Sequence, residues 1–134
     1  MWAWGGDSQG QLGIDPSTMP DPSNPVSFTP AQVAGLSGIV AISAGYFQGL
    51  ALGSDGTVWT WGATGLGLTG SSPGTAFTPV AVPGLPRATA IAGAYGFSLA
   101  LGQDGRVYGW GGNAQGELAV EPTGAVTVPL QITH

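Results

Sequence analysis

The feature that most constrains this chain is an internal repeat of 49 residues. The segment 50–62 reads LALGSDGTVWTWG, and the segment 99–111 reads LALGQDGRVYGWG. The second half of this motif also opens the chain as WAWG, at Trp2–Gly5. Recurrence at this spacing is typical of propeller blades, solenoid units and similar arrays, in which one supersecondary unit is stacked on the next.

The centre of each copy carries an Asp-Gly pair, Asp55-Gly56 and Asp104-Gly105, between two apolar runs. Runs rich in β-branched, aromatic and leucine residues favour strands. An Asp-Gly pair between two such runs predicts a β-hairpin, and we expect a tight type I′ turn because glycine adopts positive φ without steric cost.

Each period contains four strand-sized pieces. The first is an Ala/Ile/Val run (39–43 and 88–92), the second and third are the arms of the hairpin, and the fourth starts at a proline or beside one (30–33, 79–82 and 128–132). Glycine or proline interrupts every candidate helical window, so the sequence predicts an all-β chain.

The pieces occur in the order third, fourth, and then first to fourth twice, which gives ten strands. We divide the single repeat domain 1–134 into a partial repeat (1–36) and two full repeats (37–85 and 86–134). The two strands missing from the first unit must come from another chain or from upstream sequence, or the unit stays incomplete.

Charge is scarce in this chain and its balance is acidic. Charged residues make up 7% of the sequence, and the formal net charge is −5 because only two arginines oppose seven carboxylates. Nucleic-acid binding needs a basic stripe for phosphate contacts, so we predict no nucleic-acid partner. No apolar run approaches the length of a membrane span, which predicts no membrane insertion.

Two further compositional features bear on the compartment. There is no cysteine, so disulfides and thiolate sites are excluded. The abundance of Ala, Thr, Ser, Gly and Pro is typical of secreted surface proteins of GC-rich bacteria, which favours an extracellular or cell-surface location. Met1 leads directly into the first predicted strand, so we expect no signal peptide before that strand.

The repeated pattern Ala-Ile-x-Ala-Gly, Leu-Ala-Leu-x-x-Asp-Gly-x-Val-Trp-x-Trp-Gly, Gly-Gln-Leu-Gly and Thr-Pro-x-x-Val resembles the regulator of chromosome condensation repeat over the whole chain. Members of that family are seven-bladed β-propellers. The resemblance implies a partial β-propeller of four-stranded antiparallel blades, about two and a half of them. The sequence departs from the family at Gln48 and Phe97, where a histidine is usual, and in the Gly-Gln-Leu-Gly motif, which is intact only at Gly10–Gly13.

The family includes a chromatin-bound nucleotide exchange factor for a small GTPase, a secreted bacterial inhibitor of β-lactamases and many surface proteins. All of them act by protein contact through loops on one propeller face. The resemblance therefore implies a non-catalytic protein-interaction module without a cofactor, as a fragment or subunit of a larger propeller. Its partner is another protein or a second copy joined through open blade edges. The alternatives are a propeller that binds carbohydrate or a small ligand, and a regulator of a small GTPase.

No constellation in the sequence predicts catalysis or a metal site. Asp55 and Asp104 are the turn residues that an Asp-Gly hairpin demands. His134 is the only histidine and the last residue. The glycine-rich strings 62–67 and 109–112 lack the following lysine of a phosphate loop. The remaining carboxylates do not follow the spacing of a calcium loop; they are Asp7, Asp15, Asp21, Glu117 and Glu121.

Paired aromatic residues alternate along the third strand of each unit: Trp2 and Trp4, Trp59 and Trp61, and Tyr108 and Trp110. We expect one member of each pair to pack between blades and the other to face the opposite side. An outward member could stack against a ligand.

The best functional candidate is the loop 14–28, which joins the third and fourth pieces of the first unit. Four prolines stiffen it and lower the entropy lost on binding. Met19 and Phe28 would supply apolar anchors, and Asp15 and Asp21 would supply charge. The alternative interpretation is a tolerated surface insertion.

Overall fold

The computed structural model describes residues 1–63 and 76–133. This part of the chain is built from strands, with one short 3-10 turn at Pro16–Thr18, so the all-β prediction is confirmed. The strands are β1 (Trp2–Gly6), β2 (Val26–Gln32), β3 (Ile39–Ala44), β4 (Gln48–Gly53), β5 (Val58–Gly62), β6 (Ala76–Ala81), β7 (Ala88–Gly93), β8 (Phe97–Gly102), β9 (Val107–Asn113) and β10 (Thr123–Gln131).

The strands form three antiparallel sheets. The first sheet contains β1 and β2, the second has the order β3-β4-β5-β6, and the third contains β7 to β10 in sequence order. The predicted order of pieces is therefore confirmed. Among the described residues the first sheet has no equivalents of β3 and β4. The division at residues 36/37 and 85/86 stays a prediction.

The Asp-Gly hairpins form, but the predicted type I′ turn is wrong. That turn needs positive φ at both central residues, and among the described residues Ala119 is the only non-glycine with positive φ. Gly56 (φ 84°) instead ends a three-residue loop and donates its N–H to the Gly53 carbonyl at 2.9 Å. The Asp55 carboxylate accepts the N–H of Thr57 at 3.0 Å, which satisfies the turn without a left-handed aspartate.

The core lies where the second and third sheets pack together, with β3 and β4 against β7. Its buried side chains are Leu50, Leu52, Val58, Val82, Ala88, Ala100 and Trp110. Polar groups hold the two sheets together. Gln48 Nε2 donates to the Phe97 carbonyl at 3.0 Å and to Ser98 Oγ at 2.9 Å, and the Gly93 N–H donates to Ser43 Oγ at 2.9 Å.

The connections between strands lie at the two opposite ends of the strands, because antiparallel strands reverse direction at alternate ends. We call these two ends of the stack the upper edge and the lower edge. The upper edge carries the connections 7–25, 45–47, 94–96 and 114–122, and the lower edge carries the turns 54–57 and 103–106. Loop 14–28 therefore lies mostly at the upper edge, whereas Asp55 and Asp104 lie at the lower edge.

Candidate functional site

Both tryptophans of β1 are exposed, although the repeat equivalents of Trp4 are buried and those of Trp2, namely Trp59 and Tyr108, are half-buried. Trp4 is 63% exposed, whereas Trp61 and Trp110 at the same position of the second and third sheets are 1% and 0% exposed. In the second sheet β4 lies beside β5 and pairs Gly49 with Trp61. β1 pairs with β2 alone in the described chain, so nothing equivalent to β4 covers Trp4.

A groove of about 470 Å³ lies between β1 and the pair β3–β4; we call it the N-terminal groove. Its walls include Trp2, Trp4, Ile42, Gly45, Gln48 and Trp61. Trp2 and Trp4 both line it, because residues two apart on a strand share a face. The expectation that the two aromatics of a pair face opposite sides is therefore wrong for β1.

The backbone of β1 is already shaped for a neighbouring strand. Gly5, Gly62 and Gly111 are repeat equivalents with φ of 106°, 104° and 107°. A Cβ added at Gly62 would collide with the Phe47 carbonyl oxygen and Gln48 Cα of the adjoining strand, whereas one added at Gly5 would meet nothing within 4 Å. The same local conformation thus adjoins a strand in the second sheet and open space in the first.

The two aspartates of the predicted contact loop 14–28 accept hydrogen bonds from residues of the loop itself. Asp15 caps the 3-10 turn by accepting the Ser17 N–H at 2.9 Å, and Asp21 accepts the Ser23 N–H and hydroxyl at 3.0 and 2.6 Å. Hydrogen bonds from Ser17 lower the pKa of Asp15, and those from Ser23 lower the pKa of Asp21. Both side chains are therefore ionised and committed to local turns at neutral pH.

Met19 and Phe28, the two apolar residues proposed for the same loop, belong to different structural elements. Met19 follows the 3-10 turn and is half-buried. Phe28 lies within β2 and is 91% exposed. Phe28 is thus part of a strand rather than of the loop. Neither Met19 nor Phe28 lines the N-terminal groove.

The carboxylates at the lower edge are turn residues, as predicted. Backbone hydrogen bonds from Thr57 and Arg106 lower the pKa values of Asp55 and Asp104. Asp104 also accepts the Tyr108 hydroxyl at 2.8 Å, and this bond raises the pKa of Tyr108.

Asp7 and Asn113 form a pair of buried positions whose role the sequence did not reveal. Asp7 lies three residues after Trp4, and Asn113 lies three residues after Trp110. The side-chain oxygen of Asp7 accepts the Leu12 N–H at 2.7 Å, and that of Asn113 accepts the Leu118 N–H at 2.9 Å. Asn113 Nδ2 also donates to the Glu121 carbonyl at 2.9 Å. Asp7 Oδ2 is buried and has no hydrogen-bond partner among the described residues, and burial raises the pKa of Asp7.

No group of three or more His, Asp or Glu side chains within residues 1–63 and 76–133 is arranged to hold a metal ion. His134 and residues 64–67 of the first glycine-rich string lie outside the described residues. In that same part of the chain no helix is long and apolar enough to cross a membrane.

The third sheet has an open surface of its own. Leu101 and Val107 are 39% and 38% exposed, whereas their equivalents Leu52 and Val58 in the second sheet are both 3% exposed. The difference arises because β7 packs on the second sheet, and no described strand packs on the third sheet in the same way. The described stack is thus open at both ends.

Sequence reasoning also missed two exposed tyrosines at the upper edge. Tyr46 and Tyr95 are 62% and 76% exposed, and their ring centroids are 4.8 Å apart. They are separated by the repeat length of 49 residues, which is the signal that could have predicted their proximity.

Comparison with known proteins agrees with this architecture. The family model for the regulator of chromosome condensation (RCC1) repeat matches residues 1–52, and a second model of the same repeat matches 39–67 and 89–117. Similar curated proteins include the human probable E3 ubiquitin-protein ligase HERC6, 36% identical over 72 residues. Protein pim1 of Schizosaccharomyces pombe is 35% identical over 68 residues.

These matches are partial in both directions. They cover 52% and 46% of this chain, which spans only 6% of HERC6 and 13% of pim1. Among solved structures, Prp20p of Saccharomyces cerevisiae superposes with a TM-score of 0.83 at 21% identity, over 99% of this chain and 34% of its own. Human WBSCR16 gives a TM-score of 0.83 at 24% identity, over 98% of this chain and 34% of its own.

The predicted partial β-propeller is therefore confirmed, with four strands in each complete blade and about two and a half blades in the chain. The repeat motifs, the three sheets and the family-model matches agree along the sequence. The chain belongs to the regulator of chromosome condensation repeat family.

Proposed function

We propose that this chain is a non-catalytic protein-interaction module that contributes blades to a larger propeller and binds through its open ends. The observation that carries the proposal is the 63% exposure of Trp4 at a position that is fully buried in both complete sheets. Large apolar side chains beside an unpaired strand edge favour pairing with another chain.

Two further observations support a protein partner. Both open ends are apolar, with Trp2, Trp4 and Ile42 at the first and Leu101 and Val107 at the second. Solved structures of similar fold concern protein contacts: Prp20p was studied for its binding to Gsp1p and histones, and yeast RCC1 (Prp20) was solved bound to Kap60. The chain spans about a third of those proteins, so their partners are not carried over to it.

The test is the absolute mass of the chain by light scattering over a dilution series. We expect the two open ends to hold a second copy, so that mass rises with concentration, and Trp4→Ala to shift the chain towards the monomer. Phe28→Ala removes an aromatic side chain that is 91% exposed but lies outside the groove, so it should leave the mass unchanged. An identical monomeric mass for wild type and Trp4→Ala at every concentration would rule out self-association through the open ends.

Residues Asp15, Met19, Asp21 and Phe28 remain a proposed second contact surface. The structure refines how to test it, because Val26 and Ser27 pair with Gly6 and Gly5 in the first sheet. A deletion that reaches Ser27 would damage β2. Replacing residues 16–24 with a short glycine-serine linker removes the loop and keeps the strand.

A further inference from the structure

We propose that Tyr46 and Tyr95 form the centre of a docking site on the upper edge for an arginine-rich segment of a partner protein. One arginine of the segment would stack on the two tyrosine rings, and its other cations would lie beside the carboxylates of the same edge. This surface is separate from the N-terminal groove, whose walls include neither tyrosine. The inference therefore goes beyond the proposed function and does not rest on the open ends.

The two tyrosines lie at the tips of equivalent turns. In the turn before β4, the Gly45 N–H donates to the Gln48 carbonyl at 2.9 Å. In the turn before β8, the Ala94 N–H donates to the Phe97 carbonyl, also at 2.9 Å. Each tyrosine is therefore exposed because it lies at the tip of a tight, hydrogen-bonded turn.

Contacts beneath the rings fix the position of one turn relative to the other. Gln48 Nε2 donates to the Phe97 carbonyl at 3.0 Å, which links the second sheet to the third directly below the tyrosines. A Cβ added at Gly45 would lie 2.6 Å from the Ala94 carbonyl oxygen, so the two turns approach as closely as a glycine allows. The spacing of the tyrosines is thus built into the packing of the two sheets.

The rings form an exposed aromatic platform. Tyr46 and Tyr95 are 62% and 76% exposed, and their planes are inclined by 51° with the centroids 4.8 Å apart. Phe47 is half-buried and meets Tyr46 nearly edge-on, at a centroid distance of 4.3 Å, so it supports that ring from the side. A cation placed over such rings is attracted by the negative charge of their faces.

The charged side chains are segregated between the two edges. The chain has two arginines and no lysine, and both arginines lie at the lower edge. Arg87 Nη1 donates to the Asp55 carbonyl at 2.6 Å, and Arg106 Nη1 lies 3.3 Å from the Asp104 carboxylate. Because these two arginines and two aspartates balance, the formal net charge of −5 belongs to the upper edge.

Within residues 1–63 and 76–133, the charged side chains of the upper edge are all carboxylates. They lie on the connections 7–25 and 114–122: Asp7, Asp15, Asp21, Glu117 and Glu121. Asp7 is buried, whereas the other four are exposed or half-buried. The aromatic platform and the negative charge therefore share one edge of the stack.

These observations favour an arginine-rich segment as the occupant. A guanidinium stacks on aromatic faces and is more weakly hydrated than an ammonium, so arginine suits the platform better than lysine. The carboxylates lie on two separate loops, so a single small cation would meet few of them. An extended segment with several cations reaches both the platform and the loops, and the negative edge attracts it during association.

The experiment is an NMR titration of the full chain with the capped peptide GRGRGRG. The sequence contains three tyrosines, and Tyr108 provides an internal reference because its hydroxyl donates to Asp104 at the lower edge. We expect the ring resonances of Tyr46 and Tyr95 to shift with added peptide and those of Tyr108 to stay constant. The peptide GKGKGKG carries the same charge and should bind roughly two- to fivefold more weakly.

Matched variants of the tyrosines test the platform. The double variant Tyr46→Leu/Tyr95→Leu keeps apolar side chains but removes the aromatic faces, so it should bind the arginine peptide roughly fivefold more weakly or less. The double variant Tyr46→Phe/Tyr95→Phe keeps the faces and should stay within about twofold of wild type. Phe28→Ala removes an exposed aromatic ring from β2 and should bind as wild type does.

Matched charge variants test the contribution of the upper edge. Glu117→Gln/Glu121→Gln removes two negative charges there and should weaken binding by roughly threefold, as exposed charge pairs do. Asp55→Asn/Asp104→Asn removes the same charge at the lower edge and should have little effect. Raising the salt from about 0.1 to about 1 M shortens the Debye length from about 10 to about 3 Å, so it should abolish the difference between the two variants.

The outcomes separate this inference from the proposed function. Constant Tyr46 and Tyr95 resonances, or wild-type binding by Tyr46→Leu/Tyr95→Leu, would overturn the docking site. Equal binding of the lysine peptide would overturn the choice of arginine, and equal losses in the two charge variants would overturn the role of the upper edge. Trp4→Ala should bind the peptide as wild type does, so failure of self-association through the open ends leaves this result unchanged.

Discussion

The first and second sheets share one motif but differ in what surrounds it. WAWG in β1 and WTWG in β5 both form strands with a glycine near φ 105° after the second tryptophan, but Trp4 is 63% exposed and Trp61 is 1% exposed. The difference lies in what surrounds the indole: Gly49 of β4 accommodates Trp61 on one side, and Gln11 and Gly13 of the preceding unit contact it on another. Burial in this fold therefore depends on the paired strand and on the neighbouring unit rather than on the tryptophan's own strand.

The largest difference between the two sheets is expected when each tryptophan is truncated. Trp61→Ala should destabilise the chain by about 3–5 kcal/mol, because it empties a fully buried site and removes the hydrogen bond from Trp61 Nε1 to the Gln11 carbonyl at 2.9 Å. Trp4→Ala should change the free energy of unfolding by only about 0.5 kcal/mol, as exposed positions do.

Urea denaturation at matched protein concentration measures both changes. The concentration must be low enough for the monomer to dominate, because association through β1 would raise the apparent effect of Trp4→Ala. Equal destabilisation by the two substitutions would contradict the view that no strand within residues 1–63 and 76–133 covers Trp4.

A smaller difference in stability is expected between alanine substitutions of the two glycines that follow these tryptophans. Both Gly62→Ala and Gly5→Ala impose an L side chain on a positive φ, which costs about 1 kcal/mol or more. Only Gly62→Ala also pushes a Cβ into the Phe47 carbonyl and Gln48 Cα, whereas Gly5→Ala meets open space.

Thermal unfolding followed by circular dichroism gives the two shifts in melting temperature. We expect the shift for Gly62→Ala to exceed that for Gly5→Ala clearly.

The smallest effect concerns Asp7, the equivalent of Asn113 in the third sheet. Asp7→Asn replaces a buried carboxyl, whose Oδ2 has no hydrogen-bond partner among the described residues, by a neutral amide, so it should stabilise the chain by about 1 kcal/mol wherever Asp7 is ionised. Asn113→Asp should have the opposite sign, because it removes the donor that binds the Glu121 carbonyl.

The pH dependence provides the check. The pKa of Asp7 is raised in the folded state, so the cost of its charge is present above the folded pKa and is relieved as pH falls through it. The advantage of Asp7→Asn in urea denaturation should therefore shrink on acidification. Four other aspartates have lowered pKa values: Asp15, Asp21, Asp55 and Asp104. Their small contributions to folding stability are lost at low pH in wild type and in Asp7→Asn alike, so they cancel in the difference between the two proteins. A constant advantage from pH 7 to pH 4 would contradict a charged, buried Asp7.

Repeat logic predicted most of the fold from particular residues. Asp55 and Asp104 marked the hairpins, and the three copies of the Trp-Gly motif marked the third strand of each sheet. The turn type was missed, because an aspartate can satisfy a turn through its carboxylate while glycine alone takes positive φ. The composition of loop 14–28 predicts a contact surface, but its aspartates form hydrogen bonds within the loop itself.

Local sequence patterns are enough to predict the strands, their order and the repeat equivalences, because alternation, Asp-Gly turns and fixed spacing act locally along the chain. Which equivalent side chains are buried depends instead on tertiary packing. Trp4, Trp61 and Trp110 lie in nearly the same motif. Trp61 is covered by Gly49 of the paired strand β4 and contacted by Gln11 of the preceding unit, whereas the first sheet has no equivalent of β4 among the described residues. Solvent exclusion is set by what packs across a surface, and for β1 that surface is the N-terminal groove.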